Sequence, residues 1–205
     1  MSKSPTEAVK PFSEELQDWL KSNKPKTLLS LDKVFAEKSF AIIFILLLAP
    51  SALPVPTGGI TTVFEVVAII IASQMLIGRR SLWLPKRWRH LRVGKFMQQR
   101  ILPKLISFIR WFERYSRPRG AYFLQTAIGR LFFGLVVVII TAAALISPPF
   151  SGLDTLPSLG VAIISLGVIL EDILLFLFGL IVGIVGIGLI IVLGSAAINI
   201  LGGLL

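Results

Sequence analysis

Two long stretches of this chain are almost free of charge yet interrupted by residues that break helices. No side chain between Ser39 and Phe64 is ionisable, and a similar apolar stretch returns roughly a hundred residues later. The interruptions are Pro50, Pro54, Pro56, Gly58 and Gly59 in the first stretch and Pro148, Pro149, Gly152 and Pro157 in the second. Backbone freed by such breaks needs partners in protein or in a wet cavity. The pattern therefore predicts two helical hairpins in a membrane, with non-helical tips.

The composition favours an integral membrane protein over a soluble domain. Hydrophobic residues make up 55% of the chain and charged residues 16%, whereas about a quarter of a soluble domain is charged. The run from Ile173 to Leu205 contains no charge, and it exceeds the roughly 20 apolar residues that cross a bilayer. The polar start of the chain is not the pattern of a cleaved signal peptide.

The net charge of +10 is concentrated in one segment. Between Arg79 and Gly120 about thirteen Lys and Arg residues stand against the single acid Glu113. Short basic loops remain on the cytoplasmic side, so we expect both this segment and the N-terminus to be cytoplasmic. Anionic lipid headgroups are the expected partner of this segment, and nucleic acid is not.

The sequence predicts neither an enzyme nor a bound cofactor or metal. The chain has no cysteine, and His90 is its one histidine, which argues against a thiol nucleophile or a structural zinc site. It also lacks a nucleophile elbow, a phosphate loop followed by Lys and paired metal-binding acids.

The predicted organisation is all-α with five consecutive segments. Residues 1–38 form a cytoplasmic amphipathic segment, with Ser13 and Ser30 as candidate helix N-caps. Residues 39–78 form the first hairpin, residues 79–120 basic helices in the headgroup plane, residues 121–172 the second hairpin and residues 173–205 a membrane helix. The first arm holds only about eleven residues before Pro50, or about 16 Å, so a re-entrant hairpin is as plausible as two full spans.

The two hairpins are predicted to be internal repeats. At an offset of 98 residues Pro50 aligns with Pro148 and Thr57 with Thr155. The shared order is an apolar arm, a proline, a threonine, a second apolar arm and a charged pair. Parallel and inverted repeats remain open alternatives. Gly179 and Gly183 form a small-xxx-small pair that predicts a homodimer.

Glu65 is the sharpest candidate for function because an acid within an apolar helix is costly. A carboxyl group there can take up and release a proton or bind an ion; the structural alternative is a cap for exposed amides or a pair with Arg130. Arg130 can also snorkel to headgroups. Glu171 and Asp172 are adjacent, so at most one faces a pore. The full set of candidate transport or binding residues is Pro54, Pro56, Thr57, Gly58, Gly59, Thr61, Thr62, Glu65, Arg130, Asp154, Thr155, Glu171 and Asp172.

Two stretches resemble the exopolysaccharide-synthesis ExoD family of bacterial membrane proteins. They are LLLAPSALPVPTGGITTVFEVVAIIIASQMLIGRRSLWLP and SPPFSGLDTLPSLGVAIISLGVILED. The resemblance covers the chain from about Thr27 to the C-terminal apolar run. It implies an inner-membrane protein tied to exopolysaccharide production and tolerance of alkaline conditions, and it names a pathway without naming a reaction.

Three hypotheses follow from these patterns. The first is a small dimeric transporter or channel-like protein whose broken hairpins meet at a wet centre, with Glu65 as the proton or ion site. The second is a scaffold that holds polysaccharide-synthesis proteins at the membrane through its basic segment. The third is a scramblase for lipids or lipid-linked sugars, which would use the tips as a polar groove.

Overall fold

The structure is a computed structural model that describes residues 10–23, 25–35, 38–53, 60–79, 81–83, 97–120, 126–148 and 151–202. These residues form eight α-helices and no β-sheet. The helices are α1 (Phe12–Lys21), α2 (Leu28–Phe35), α3 (Lys38–Leu48), α4 (Ile60–Leu76), α5 (Leu102–Glu113), α6 (Ala127–Ile146), α7 (Thr155–Leu170) and α8 (Ile173–Gly202). The all-α prediction is confirmed for the part of the chain that is described.

The helices divide between two compact units. In the first, α1 packs against α5, and Phe12 and Trp19 of α1 meet Phe35 of α2 edge to face at 5.3 and 6.1 Å between ring centroids. The apolar face of α1 is therefore buried inside this unit, as its helical spacing predicts.

Both N-cap predictions in this unit are wrong by a few residues. Ser13 is the second residue of α1, and its backbone amide donates to the Glu113 carboxylate at 2.9 Å. A carboxylate next to the exposed amides of a first helical turn replaces the cap. Thr27 precedes α2, and its hydroxyl accepts from the Ser30 amide at 3.2 Å while the Thr27 amide donates to the Ser30 hydroxyl at 3.1 Å. Ser30 is thus the reciprocal partner of a capping box.

The second unit is a bundle of α3, α4, α6, α7 and α8. Helix α3 packs on α4 and α7, and α6 packs on α4, α7 and α8. Lys38 at the start of α3 pairs with Glu171 just after the end of α7, so these two helices are antiparallel. The loops that follow α3 and α6 consequently lie at one end of the bundle, which we call the tip end. The opposite end, where α3 and α6 begin, is called the base.

Helices α7 and α8 pack along a seam of glycines. A Cβ atom on Gly160 would lie 2.6 Å from the Gly183 Cα, and one on Gly179 would lie 2.5 Å from the Ile164 amide nitrogen. Only glycine permits this approach between two helix backbones. The Gly179–Gly183 pair, which the sequence offered for self-association, thus packs against α7 of the same chain.

Within the described part of the chain, two helices are long and apolar enough to cross a membrane, namely α6 and the segment Ile173–Ala196 of α8. Only 22% of the α8 window is buried within the chain. The side chains that α8 exposes are almost all large and apolar, including Phe178, Ile181, Ile184 and Val192. The core helix of a soluble protein would bury most of such a surface.

In the second predicted hairpin, the return helix begins before Pro157, which the sequence counted among the interruptions. Helix α6 begins at Ala127, where the Thr126 hydroxyl accepts from the Gly129 amide at 3.0 Å. Helix α7 begins at Thr155, so Pro157 lies in its first turn instead of in the tip. Proline is tolerated there because the first amides of a helix have no intrahelical acceptor.

Candidate functional site

The charged residues at the base are bonded in ways that stabilise the bundle. The Lys38 ammonium lies 2.8 Å from the Glu171 carboxylate. Glu171 itself ends α7 in the left-handed conformation, with φ of 56°, and its carbonyl accepts from the Gly120 amide at 3.0 Å. Such a residue commonly terminates a helix. The position of Glu171 is thus explained by packing and chain reversal.

Asp172 also serves the fold at the base. Its carboxylate accepts from the Leu174 amide at 3.0 Å, which satisfies an orphan donor at the start of α8. The side chain is 5% exposed. Arg130 lies in the first turn of α6, at this same end of the bundle. The structure therefore places three of the predicted candidate residues, Arg130, Glu171 and Asp172, at the opposite end of the bundle from the tips.

Glu65 lies toward the tip end, in the second turn of α4. It is 2% exposed, and its Oε1 atom has no hydrogen-bond partner among the residues that the structure describes. Thr61, one turn earlier, is buried as well, whereas Thr62 is exposed. The carboxyl of Asp154, just before α7, is close enough to that of Glu65 for the two charges to interact. Thr155 is the first residue of α7 beside it.

Thr141 on α6 and Glu65 on α4 lie at about the same level of the bundle, as the contact between these two helices indicates. A Cβ atom on Gly134 would lie 3.3 Å from the Ala72 carbonyl oxygen, so these two residues mark the contact between α6 and α4. Thr141 is seven residues beyond Gly134, and Glu65 is seven residues before Ala72. Seven residues are about two helical turns, so Thr141 lies on the same face of α6 as Gly134, and Glu65 lies on the same face of α4 as Ala72. Because the two helices are antiparallel, Thr141 and Glu65 are at about one level. The Thr141 Oγ1 atom is buried and also has no partner among the described residues.

Ser51 and Ser158 reach the same level from the base. Ser51 is thirteen residues beyond Lys38, and Ser158 is thirteen residues before Glu171. The two serines are 2% and 1% exposed, and neither hydroxyl finds a partner within the described ranges. Ile140 of α6 and Gly160 of α7 both lie next to Gly183 of α8. Thr141 follows Ile140 and Ser158 is two residues before Gly160, so these two side chains are at about the same level.

These four residues define what we call the polar layer: Ser51, Glu65, Thr141 and Ser158. Burial of a polar group without a partner costs about 1–3 kcal/mol, yet four helical segments each bring one such group to the same height. Their oxygen atoms can accept a proton, donate one or coordinate a hard cation. Among the described residues no group of three His, Cys, Asp or Glu side chains could hold a metal ion.

Sequence reasoning names Glu65, Thr61 and Asp154 as candidates but does not name the hydroxyls of the layer. Ser51, Thr141 and Ser158 are isolated in apolar runs, where serine and threonine are common and carry no charge signal. Only the packing of α3 on α7 and of α4 on α6 aligns them. The predicted tip residues Pro54, Pro56, Thr57, Gly58 and Gly59 lie outside the described residues.

Comparison with known proteins gives one family and two relatives. The family described as "Exopolysaccharide synthesis, ExoD" matches residues 12–192. An uncharacterized protein of Synechocystis sp. is 29% identical over 197 residues, which cover 93% of this chain and 92% of that protein. The "Protein ExoD" of Rhizobium meliloti is 29% identical over 149 residues, which cover 71% of this chain and 61% of that protein. No solved structure matches.

Proposed function

Since this chain belongs to the ExoD family, which is linked to exopolysaccharide synthesis, we propose that it acts in the bacterial inner membrane as a small transport protein. In this proposal the two hairpins carry an ion or a proton through a shared wet centre, and the polar layer is the coupling site. The observation that carries the proposal is the buried Glu65 carboxyl, whose Oε1 atom has no partner among the described residues, at about one level with three buried hydroxyls that also find none there.

The exposed surface of the bundle supports a position within the bilayer. Large apolar side chains cover the outside of α6 and α8, among them Leu135, Ile139, Leu177 and Ile191. Lipid chains solvate such a surface, whereas water would leave it unsatisfied. The basic segment from Arg79 onward follows the base, so the positive-inside rule puts the base on the cytoplasmic side and the tips away from it.

The packing order supports a repeat relation between the hairpins. The outgoing arm of each hairpin packs on the return arm of the other, as α3 does on α7 and α6 does on α4. If the two hairpins exchanged places, each outgoing arm would still pack on the return arm of the other hairpin. Because both tips lie at one end of the bundle, the repeats in this proposal are parallel, with their axis along the membrane normal.

Replacement of Glu65 tests the coupling role. The variant Glu65→Gln keeps the size of the side chain and removes its ability to ionise. In liposomes that contain the purified full chain, we expect loss of pH-dependent flux, measured with an internal pH-sensitive dye. The matched control is Glu14→Gln, because Glu14 is exposed on α1 in the other unit. Unchanged flux in Glu65→Gln would contradict the coupling role.

A second candidate function, the membrane scaffold, is favoured by the surface of α5. Phe108 and Trp111 of this helix are 50% and 54% exposed, and Tyr115 in the turn after it is 73% exposed. The spacing of the two helical residues aligns them along one face. Exposed basic residues accompany them, including Lys104 and Arg114. Aromatic and basic side chains together suit the headgroup region of a membrane.

Neutralisation of the basic segment separates the two candidates. The residues to replace by Gln are Arg87, Arg89, Arg92 and Lys95, which lie outside the described residues. If the chain is a scaffold, this variant loses exopolysaccharide output in cells while the liposome flux of the purified protein is unchanged. If output falls only when Glu65 is replaced, transport is the function that matters.

A further inference from the structure

We propose that the polar layer binds a monovalent alkali cation of the sodium class. This inference rests on the proposed function, since it names the ion that the coupling site takes. It names a set of ligands, namely the Glu65 carboxyl with the hydroxyls of Ser51, Thr141 and Ser158. The charge pattern of the sequence indicates only the first of these.

The positions of these side chains favour one shared site. Thr61, Glu65, Ala68 and Ala72 form the buried face of α4, while Val63 and Val66 of the same helix are exposed. This buried face meets α6 at Gly134. Glu65 therefore lies on the side of α4 that faces the bundle.

Ser158 approaches from α7 on the side away from α8. Gly160 faces α8 at Gly183, and residues two apart on a helix lie on nearly opposite sides. Ser158 consequently lies toward α3 and α6, the other two helices that pack on α7. All four oxygen-bearing side chains are at least 98% buried, with exposures of 1% or 2%.

The chemistry of the donors selects the class of ion. Every donor is a hard oxygen atom, which suits alkali and alkaline-earth ions and not soft metals. Calcium sites take six to eight oxygens and usually several carboxylates, and magnesium keeps much of its water. The layer has one carboxylate, with Asp154 nearby, and three neutral hydroxyls. One carboxylate balances one positive charge, which removes most of the cost of burying either ion alone.

The hydroxyls also explain why this site differs from a simple proton site. A protonated Glu65 needs one acceptor, and the remaining hydroxyls would still lack partners. A cation accepts lone pairs from all of them at once, since each hydroxyl can turn its oxygen toward the ion. Among the described residues, Asp154 is the other charged group found to act on Glu65.

The test measures cation binding directly on the full chain in nanodiscs. Sodium chloride, added in place of choline chloride at equal ionic strength, should raise the midpoint of thermal unfolding saturably and broaden the sodium-23 resonance. Magnesium and calcium should have no such saturable effect. Glu65→Gln should abolish the response, and Thr141→Val or Ser158→Ala should weaken apparent sodium affinity about tenfold.

Two matched variants control for folding. Ser195→Ala changes an exposed serine of α8, and Ser73→Ala removes a hydroxyl that already donates to the Ile69 carbonyl at 2.8 Å. Both should bind sodium as the unmodified chain does. Thr141→Ser keeps the hydroxyl and should restore binding if Thr141→Val folds poorly.

The outcomes distinguish this inference from the proposed function. A sodium response that persists in Glu65→Gln, or no saturable response in the unmodified chain, overturns the cation site. If pH-dependent flux then still depends on Glu65, the coupling ion is a proton and the proposed function stands. Sodium binding without any flux would support the site and contradict the transport function.

Discussion

The base and the polar layer of the five-helix unit differ in how their polar side chains are bonded. At the base, Lys38 pairs with Glu171 at 2.8 Å, and Asp172 caps the first turn of α8. At the polar layer, near the start of α7, the Glu65 Oε1 and Ser158 Oγ atoms are buried without partners among the described residues. Stability accounts for the base. It does not account for the layer, because an unpaired buried group opposes folding.

This contrast separates charge from function. The base has more charged residues, and the sequence offers Glu171 and Asp172 as candidates for that reason. Their ion pair and hydrogen bond show that a charged residue in an apolar chain can stabilise the end of a helix. The layer holds a single acid, yet its hydroxyl neighbours leave coordination capacity unused. Several buried oxygen atoms without partners at one level are a better indicator of a ligand site than a larger number of charged residues.

The largest expected effect comes from breaking the glycine seam that holds both regions in register. In Gly160→Val, the new Cβ would lie 2.6 Å from the Gly183 Cα, so α7 and α8 must move apart. We expect a loss of more than about 3 kcal/mol of stability, measured by unfolding in detergent. The same substitution at Gly188, where nothing lies within 4 Å, should be nearly neutral. Equal effects at the two glycines would contradict the seam.

A smaller effect is expected at the base from Asp172→Ala. The variant removes the acceptor for the Leu174 amide and should cost about 1–2 kcal/mol of unfolding free energy, with sodium binding at the layer retained. Asp172→Asn keeps an acceptor oxygen and should cost less. Loss of flux in Asp172→Ala without loss of stability would mean that the base takes part in transport.

The sequence predicts the fold better than it predicts the site. Proline and glycine mark the ends of the apolar helices because their effects on the backbone are local. Glu65 is conspicuous because a charge in an apolar helix is rare. Ser158 and Thr141 give no comparable signal, since a hydroxyl in an apolar helix can bond to its own backbone, as Ser73 does with Ile69. Only tertiary packing shows that they do not.

The same limit applies to the base. Lys38 and Glu171 stand far apart in the sequence, and nothing local links them. Their pairing follows from the antiparallel packing of α3 and α7, which hydrophobic periodicity does not specify for helices buried on several sides. The glycine pair Gly179–Gly183 illustrates the point as well, because its spacing predicts close helix packing but does not select the partner helix.

The smallest expected effect sharpens the boundary between the two regions. Ser165 lies two helical turns from Ser158 on the same face of α7, in the direction of the base. It is fully buried, and its hydroxyl has no partner among the described residues. We expect Ser165→Ala to raise stability by about 0.5–1 kcal/mol, because it removes an unpaired polar group with little change in volume. Chemical unfolding of the purified chain would measure this gain.

Measurements of flux and sodium affinity in Ser165→Ala show whether Ser165 belongs with the base or with the polar layer. Because Ser165 lies about 10 Å below the layer, which is too far for direct coordination, Ser165→Ala should leave sodium affinity unchanged, whereas Ser158→Ala weakens it. A fall in flux at unchanged affinity would assign Ser165 to a hydrated route from the base to the layer. Such a route would require the base and the layer to act together, and their separation into a structural end and a binding end would no longer hold.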